Sequence, residues 1–161
     1  MTTKKKDFTD ADSIMMSARS LQTLVNSFGE GADPSSNILL FKGQFIAAPV
    51  PLALAMELAL KAWWVRGNKY CDVPKTHDLL KLFDGLSEDT RIKLERAYPE
   101  IPHPLQGFQP IRQSLRSLLT TNKTAFVEWR YLHEISGASF PHGEFGEALT
   151  AVVNEFIRTL K

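Results

Sequence analysis

Residues 51–66 are apolar on nearly every side of the helix they predict, and no other stretch constrains the fold as much. A helix that is apolar all round has to be covered all round, so it demands several partner elements. Its interior charges are Glu57 and Lys61, one turn apart on a single narrow stripe. Pro49 or Pro51 suits its first turn, where a missing N–H does no harm, and Gly67-Asn68 stops it. A membrane span over residues 45–65 is the competing reading. Pro49, Pro51, Glu57 and Lys61 oppose it, each central charge costing about 2.5–3.5 kcal/mol in a bilayer. The stretch is therefore expected to be a buried helix in a protein of the reducing cytoplasm, without membrane contact.

Covering side chains are in good supply. The chain has 161 residues, 43% of them hydrophobic and 23% charged, which suits one compact domain and excludes wholesale disorder. Residues 1–10 are polar and read as a disordered tail, leaving 11–161 as a single helical domain. Lys4, Lys5 and Lys6 run directly into Asp7, Asp10 and Asp12 with no apolar stretch, so no signal peptide is expected there. Nineteen Lys and Arg offset eighteen Asp and Glu. No overall field draws such a protein to nucleic acid; an attraction has to be local. Cys71 is the one cysteine, which excludes an intramolecular disulfide and a cysteine-built zinc site. The histidines (His77, His103, His133, His142) are scattered, and no glycine-rich phosphate loop occurs. No metal or cofactor is expected.

The rest of the chain is helical in pattern. Ile14, Met15, Ala18, Leu21, Leu24, Val25 and Phe28 form one face of an amphipathic helix ended by Gly29 and Gly31. The turn Asp33-Pro34-Ser35-Ser36 leads into a short segment over residues 37–48. Thr76 is the expected cap of a third helix with Leu79, Leu80, Leu82, Phe83 and Leu86 on its buried side. Ser87 is the expected cap of a fourth, reaching Tyr98. Ile111, Leu115, Leu118, Leu119, Phe126, Trp129 and Leu132 keep one face and predict one long helix, weakest at Thr121-Asn122. Residues 145–160 predict a last amphipathic helix. With no hairpin signal, the expected fold is all-α, an antiparallel bundle with short satellite helices.

Three segments resemble the HEPN family. They are Met56-Glu57-Leu58-Ala59-Leu60-Lys61-Ala62, then residues 74–86 from Pro74-Lys75-Thr76-His77-Asp78 onward, then Phe126-Val127-Glu128-Trp129-Arg130-Tyr131-Leu132-His133-Glu134. They lie in the family's order and cover most of residues 52–134. The resemblance implies a HEPN-like helical bundle that dimerises. It also implies a role in a toxin–antitoxin, defence or stress system, with RNA or a nucleotide as ligand and metal-independent ribonuclease activity in many members. The alternative it carries is a catalytically inactive module that docks on a partner protein such as a nucleotidyltransferase. The family's nuclease signature is an Arg followed after four to six residues by a His. Arg96 and His103 have that spacing, but the intervening Pro99 and Pro102 break any helix and the polar residue usual after the Arg is missing. With eight arginines and four histidines in the chain, chance supplies such a pair readily.

The remaining polar residues form a candidate cluster, either a binding site or a structural network: Glu57, Lys61, His77, Asp78, Arg130, His133 and Glu134. Glu57 and Lys61 have the i, i+4 spacing of a helix surface pair, but so few charges on an apolar helix imply that Glu57 is partly buried with a partner. Arg130 is expected either to pair with Glu57 or to stack on a base or hold a phosphate. Of Trp63 and Trp64, which point to different faces, one is expected in the core and the other at an interface or in solvent. Arg66, Lys69, Lys75 and Lys81 form a basic cluster suited either to solvent or to an RNA backbone.

Overall fold

The computed structural model describes residues 8–28, 38, 43, 46–68, 72–101, 104, 110–134 and 140–160. Seven α-helices are set among them: α1 (Phe8–Ser27), α2 (Pro49–Gly67), α3 (Leu79–Asp84), α4 (Glu88–Ala97), α5 (Leu115–Thr121), α6 (Ala125–Glu128) and α7 (His142–Arg158). A 3-10 segment, Trp129–Glu134, continues from α6. The described residues hold no β-strand, and one isolated antiparallel bridge joins Ile101 to Arg112. The protein is all-α, and no helix among these residues is long and apolar enough to cross a membrane.

Helix α2 is the axis of the fold, as its composition requires. It begins at Pro49 and packs most extensively on α1, then on α7, α3 and α6. Ala53, Ala55, Ala59 and Ala62 are fully buried along it, as is Ala18 on α1. Side chains this small let helix axes approach closely, which is how four neighbours fit around one helix. Leu60, Leu82, Phe83, Leu94, Leu118, Phe145, Leu149 and Phe156 fill the spaces between.

Both tryptophans of α2 are engaged. Trp63 is buried, donates from Nε1 to the Val152 carbonyl at 3.3 Å and meets Phe156 edge-on at 5.3 Å. Trp64 is half-buried and lies so close over Gly85 that a Cβ there would stand 2.6 Å from its ring. Arg66 reaches the carbonyls of Phe156 and Thr159 at 3.1 and 3.2 Å with its guanidinium over the Phe156 ring. It thereby satisfies orphan carbonyls at the end of α7 and places positive charge at the negative pole of that helix. Arg66 is a structural residue.

Several expected boundaries move. Helix α1 starts at Phe8, a turn before the apolar pattern, while its expected stops Gly29 and Gly31 lie outside the described residues, as does most of 37–48. Asp78 caps α3 in place of Thr76, accepting the Lys81 N–H at 3.0 Å, and the Thr76 hydroxyl accepts the N–H of Asp78. Ser87 caps α4 as expected. The long helix over 111–132 is not continuous. Residues 110–114 are non-helical, α5 starts after a Ser114 cap, and Asn122 ends it by returning its side-chain amide to the Leu118 carbonyl at 2.9 Å. The break has a use: the Lys123 carbonyl accepts the Leu79 N–H at 2.9 Å, satisfying a donor at the start of α3.

Tyr98 ends α4 in the core. Its hydroxyl donates to the Glu144 carbonyl at 3.3 Å, and the Arg112 guanidinium sits 4.7 Å over its ring. Burial pushes its phenol well above the usual tyrosine range; Glu144 and Glu147 add to this and Arg112 opposes it. The unfolded chain ionises this group near pH ~10 while the folded one keeps the proton, so the unfolded state binds fewer protons above that pH. The associated stability is present below pH ~10 and lost as pH rises past it. Urea midpoints of the native protein and of Tyr98→Phe are expected to diverge above pH ~10, the native protein falling faster. Parallel pH profiles would count against the buried phenol.

Candidate functional site

The site is built around one carboxylate. Glu57 projects from the middle of α2, and its side chain is only 3% exposed. Its Oε1 receives the Lys61 Nζ at 2.6 Å from the next turn of the same helix. Its Oε2 lies 2.9 Å from Nδ1 of His77, which sits just before the Asp78 cap of α3. Both oxygens are thus engaged by cationic or N–H donors, which is what a buried carboxylate needs.

His77 faces two ways. One ring edge is tied to Glu57, while the side chain as a whole is 55% exposed. A carboxylate only accepts, so Nδ1 carries the hydrogen and Nε2 is the lone-pair nitrogen of the neutral ring. No group among the described residues engages Nε2. Phe126 of α6 supports the ring from the side, with centroids 5.1 Å apart and planes tilted by 36°. Arg130 lies over the same Phe126 at 5.0 Å and near Tyr131 at 5.7 Å. Arg130 and Tyr131 are exposed. The result is a shelf: an aromatic ring, Phe126, in contact with both an oriented imidazole and a guanidinium.

Such a shelf has definite capabilities. The Arg130 guanidinium can fork onto a phosphate or stack on a base. An imidazole held by a buried carboxylate can accept a proton at Nε2 and return it. Asp78 is occupied as the α3 cap, 4.0 Å from Lys81. No group of three or more His, Cys, Asp or Glu among the described residues is arranged to hold a metal ion.

Comparison with family models, with curated proteins and with solved structures gives no match.

The cluster read from sequence is brought together in part. Glu57, Lys61 and His77 converge as a group, Asp78 stands apart as the α3 cap, and the expected Glu57–Arg130 ion pair does not form. Lys61 and His77 hold the carboxylate, and Arg130 faces out over Phe126. Lys61 wins because the i, i+4 spacing delivers it without any tertiary fit. The backbone of His133 and Glu134 belongs to the 3-10 segment, and their side chains lie outside the described residues. Arg96 is exposed on α4, and His103, Lys69 and Cys71 lie outside the described residues. Sequence reasoning missed Phe126 as the support of the shelf. Its one signal was an apolar residue four positions before Arg130, the spacing at which helical side chains meet.

Stability should follow this geometry. Glu57→Gln withdraws the charge that compensates Lys61 inside the bundle and should cost about 1–3 kcal/mol. Arg130→Ala removes only exposed contacts to aromatic rings and should cost about 0.5–1 kcal/mol. Urea unfolding of the two variants ranks them. Arg130→Ala proving the more damaging would overturn the assignment of the buried partner.

Proposed function

We propose that this chain is a HEPN-like domain of a bacterial-type defence or stress system, and that it engages RNA or a nucleotide through the shelf of His77, Phe126, Arg130 and Tyr131. The observation that carries the reading is the pairing of Glu57 with His77. It spends a buried charge to orient an exposed imidazole beside an exposed arginine resting on aromatic rings.

The same geometry fits metal-independent RNA cleavage. Nε2 of His77 takes the 2′-hydroxyl proton as that oxygen attacks the adjacent phosphorus, and the 5′-oxygen leaves with a proton from water. Arg130 would balance charge on the phosphate. Arg96 and His103 stand outside this reading. The chain is also proposed to dimerise, since Met16 and Leu24 are large apolar residues exposed on α1. If the shelf binds without cleaving, the domain works as an interaction module for a partner enzyme.

One set of experiments tests this. Fluorescence anisotropy with a labelled single-stranded RNA at low salt should show binding that weakens by about 1–3 kcal/mol in Tyr131→Ala through lost stacking. Arg130→Ala should lower the salt slope by about one. Cleavage in the presence of EDTA should vanish in His77→Ala and survive in His103→Ala. Light scattering should give twice the 18.1 kDa of one chain. Unchanged RNA affinity in both shelf variants, with folding intact, would sink the reading.

A further inference from the structure

A second polar surface lies away from the shelf. Helix α4, the end of α3 and the start of α5 line an open, shallow groove of about 580 Å³. Phe83, Ile92 and Pro99 give it apolar walls, and Arg91, Arg96 and Arg116 give it three guanidinium groups.

The three arginines differ in what they are free to do. Arg116 is spent, its Nε and Nη2 forked onto the two oxygens of Asp84 at 3.1 and 3.0 Å. Arg91 and Arg96 make no ion pair or hydrogen bond among the described residues. Nε of Arg91 is moreover cut off from solvent with no acceptor. That N–H is closed to a ligand as well as to water, so a bound acceptor meets Arg91 at its terminal nitrogens.

The carboxylates of the groove do not supply that acceptor. Glu95 has both oxygens occupied by the backbone N–H groups of Leu115 and Arg116, at 3.2 and 2.9 Å, where it caps α5. Glu88 is exposed in the first turn of α4, where the helix dipole favours it, and Glu100 is exposed at the other end. These two place negative charge at the rim. A long polyanion such as RNA meets both carboxylates, whereas a compact head seated between Arg91 and Arg96 meets less of that charge.

We propose that this groove binds a small organic anion, a single carboxylate or phosphate head on an apolar body. Arg91 and Arg96 take the head, and Ile92 and Pro99 take the body. A guanidinium matches either head through paired N–H donors. The site is independent of the His77 shelf.

The test uses benzoate and phenyl phosphate as probes, with benzyl alcohol as the uncharged control. Amide chemical shifts in 15N-labelled protein are followed during titration. Saturable shifts at Arg91, Ile92 and Ser114 are expected with benzoate or phenyl phosphate and not with benzyl alcohol, and the better probe identifies the head group. Arg91→Ala should weaken binding by at least about tenfold. Arg91→Lys, which keeps the charge and loses the guanidinium fork, should weaken it less than Arg91→Ala. Equal affinity for benzyl alcohol, no saturation with either anion, or undiminished binding in Arg91→Ala with a native spectrum would each overturn the proposal. Loss of RNA binding in His77 or Arg130 variants has no bearing on it.

Discussion

A carboxylate buried in the central helix sets the terms for everything around it. Glu57 is held inside a bundle whose neighbouring side chains are mostly alanine, leucine and phenylalanine. An ionised carboxylate in such surroundings is stable only if both oxygens find donors. Lys61 supplies one from the same helix and His77 the other from the next segment of chain. Meeting that second demand holds the run before α3 against α2, so α3 begins where it does, capped by Asp78. The start of α3 in turn takes the Lys123 carbonyl, which comes from the break between α5 and α6. That break delivers Phe126 to the side of His77. One buried charge thus links four helices.

The parts legible in the sequence were those decided locally. The all-round apolar character of α2, its proline start, the Ser87 cap and the amphipathic last helix depend on neighbours a few residues away. The parts that misled depend on distant partners. Leu115, Leu118 and Leu119 before the break and Ala125 after it are all buried, so apolar periodicity cannot reveal the interruption between them. What decides it is an N–H on Leu79, more than forty residues earlier in the chain, that requires a carbonyl. The site shows the same division. Glu57 was rightly read as buried with a partner. The partner was misassigned because Lys61, one turn along α2, and His77, before α3, take the two oxygens and leave none for Arg130. Thr76 and Asp78, two good cap residues two positions apart, were indistinguishable by residue type.

The two arginine-bearing surfaces illustrate how exposure alone misrepresents a cation. Arg130 is exposed but rests on aromatic faces, which hold its long side chain in one orientation. Arg91 is more covered yet has an N–H with nothing to bond. Arg66, which the sequence places in a basic cluster, is spent on the carbonyls of α7. Net charge says nothing of these differences. They arise from whether an acceptor, a ring or neither stands beside each guanidinium.

The attachment of α2 to α7 bears on how the chain is made. Trp63 and Arg66 bond to carbonyls that lie 89 to 93 residues farther along. A ribosome releasing residues in order exposes this face of α2 long before Val152, Phe156 and Thr159 emerge to cover it. Contacts of such long sequence separation form late and slow folding. Meanwhile a bare tryptophan and an uncovered apolar flank are what chaperones bind and what other nascent chains stick to. The order of synthesis therefore leaves this face of α2 open to such contacts until α7 has emerged.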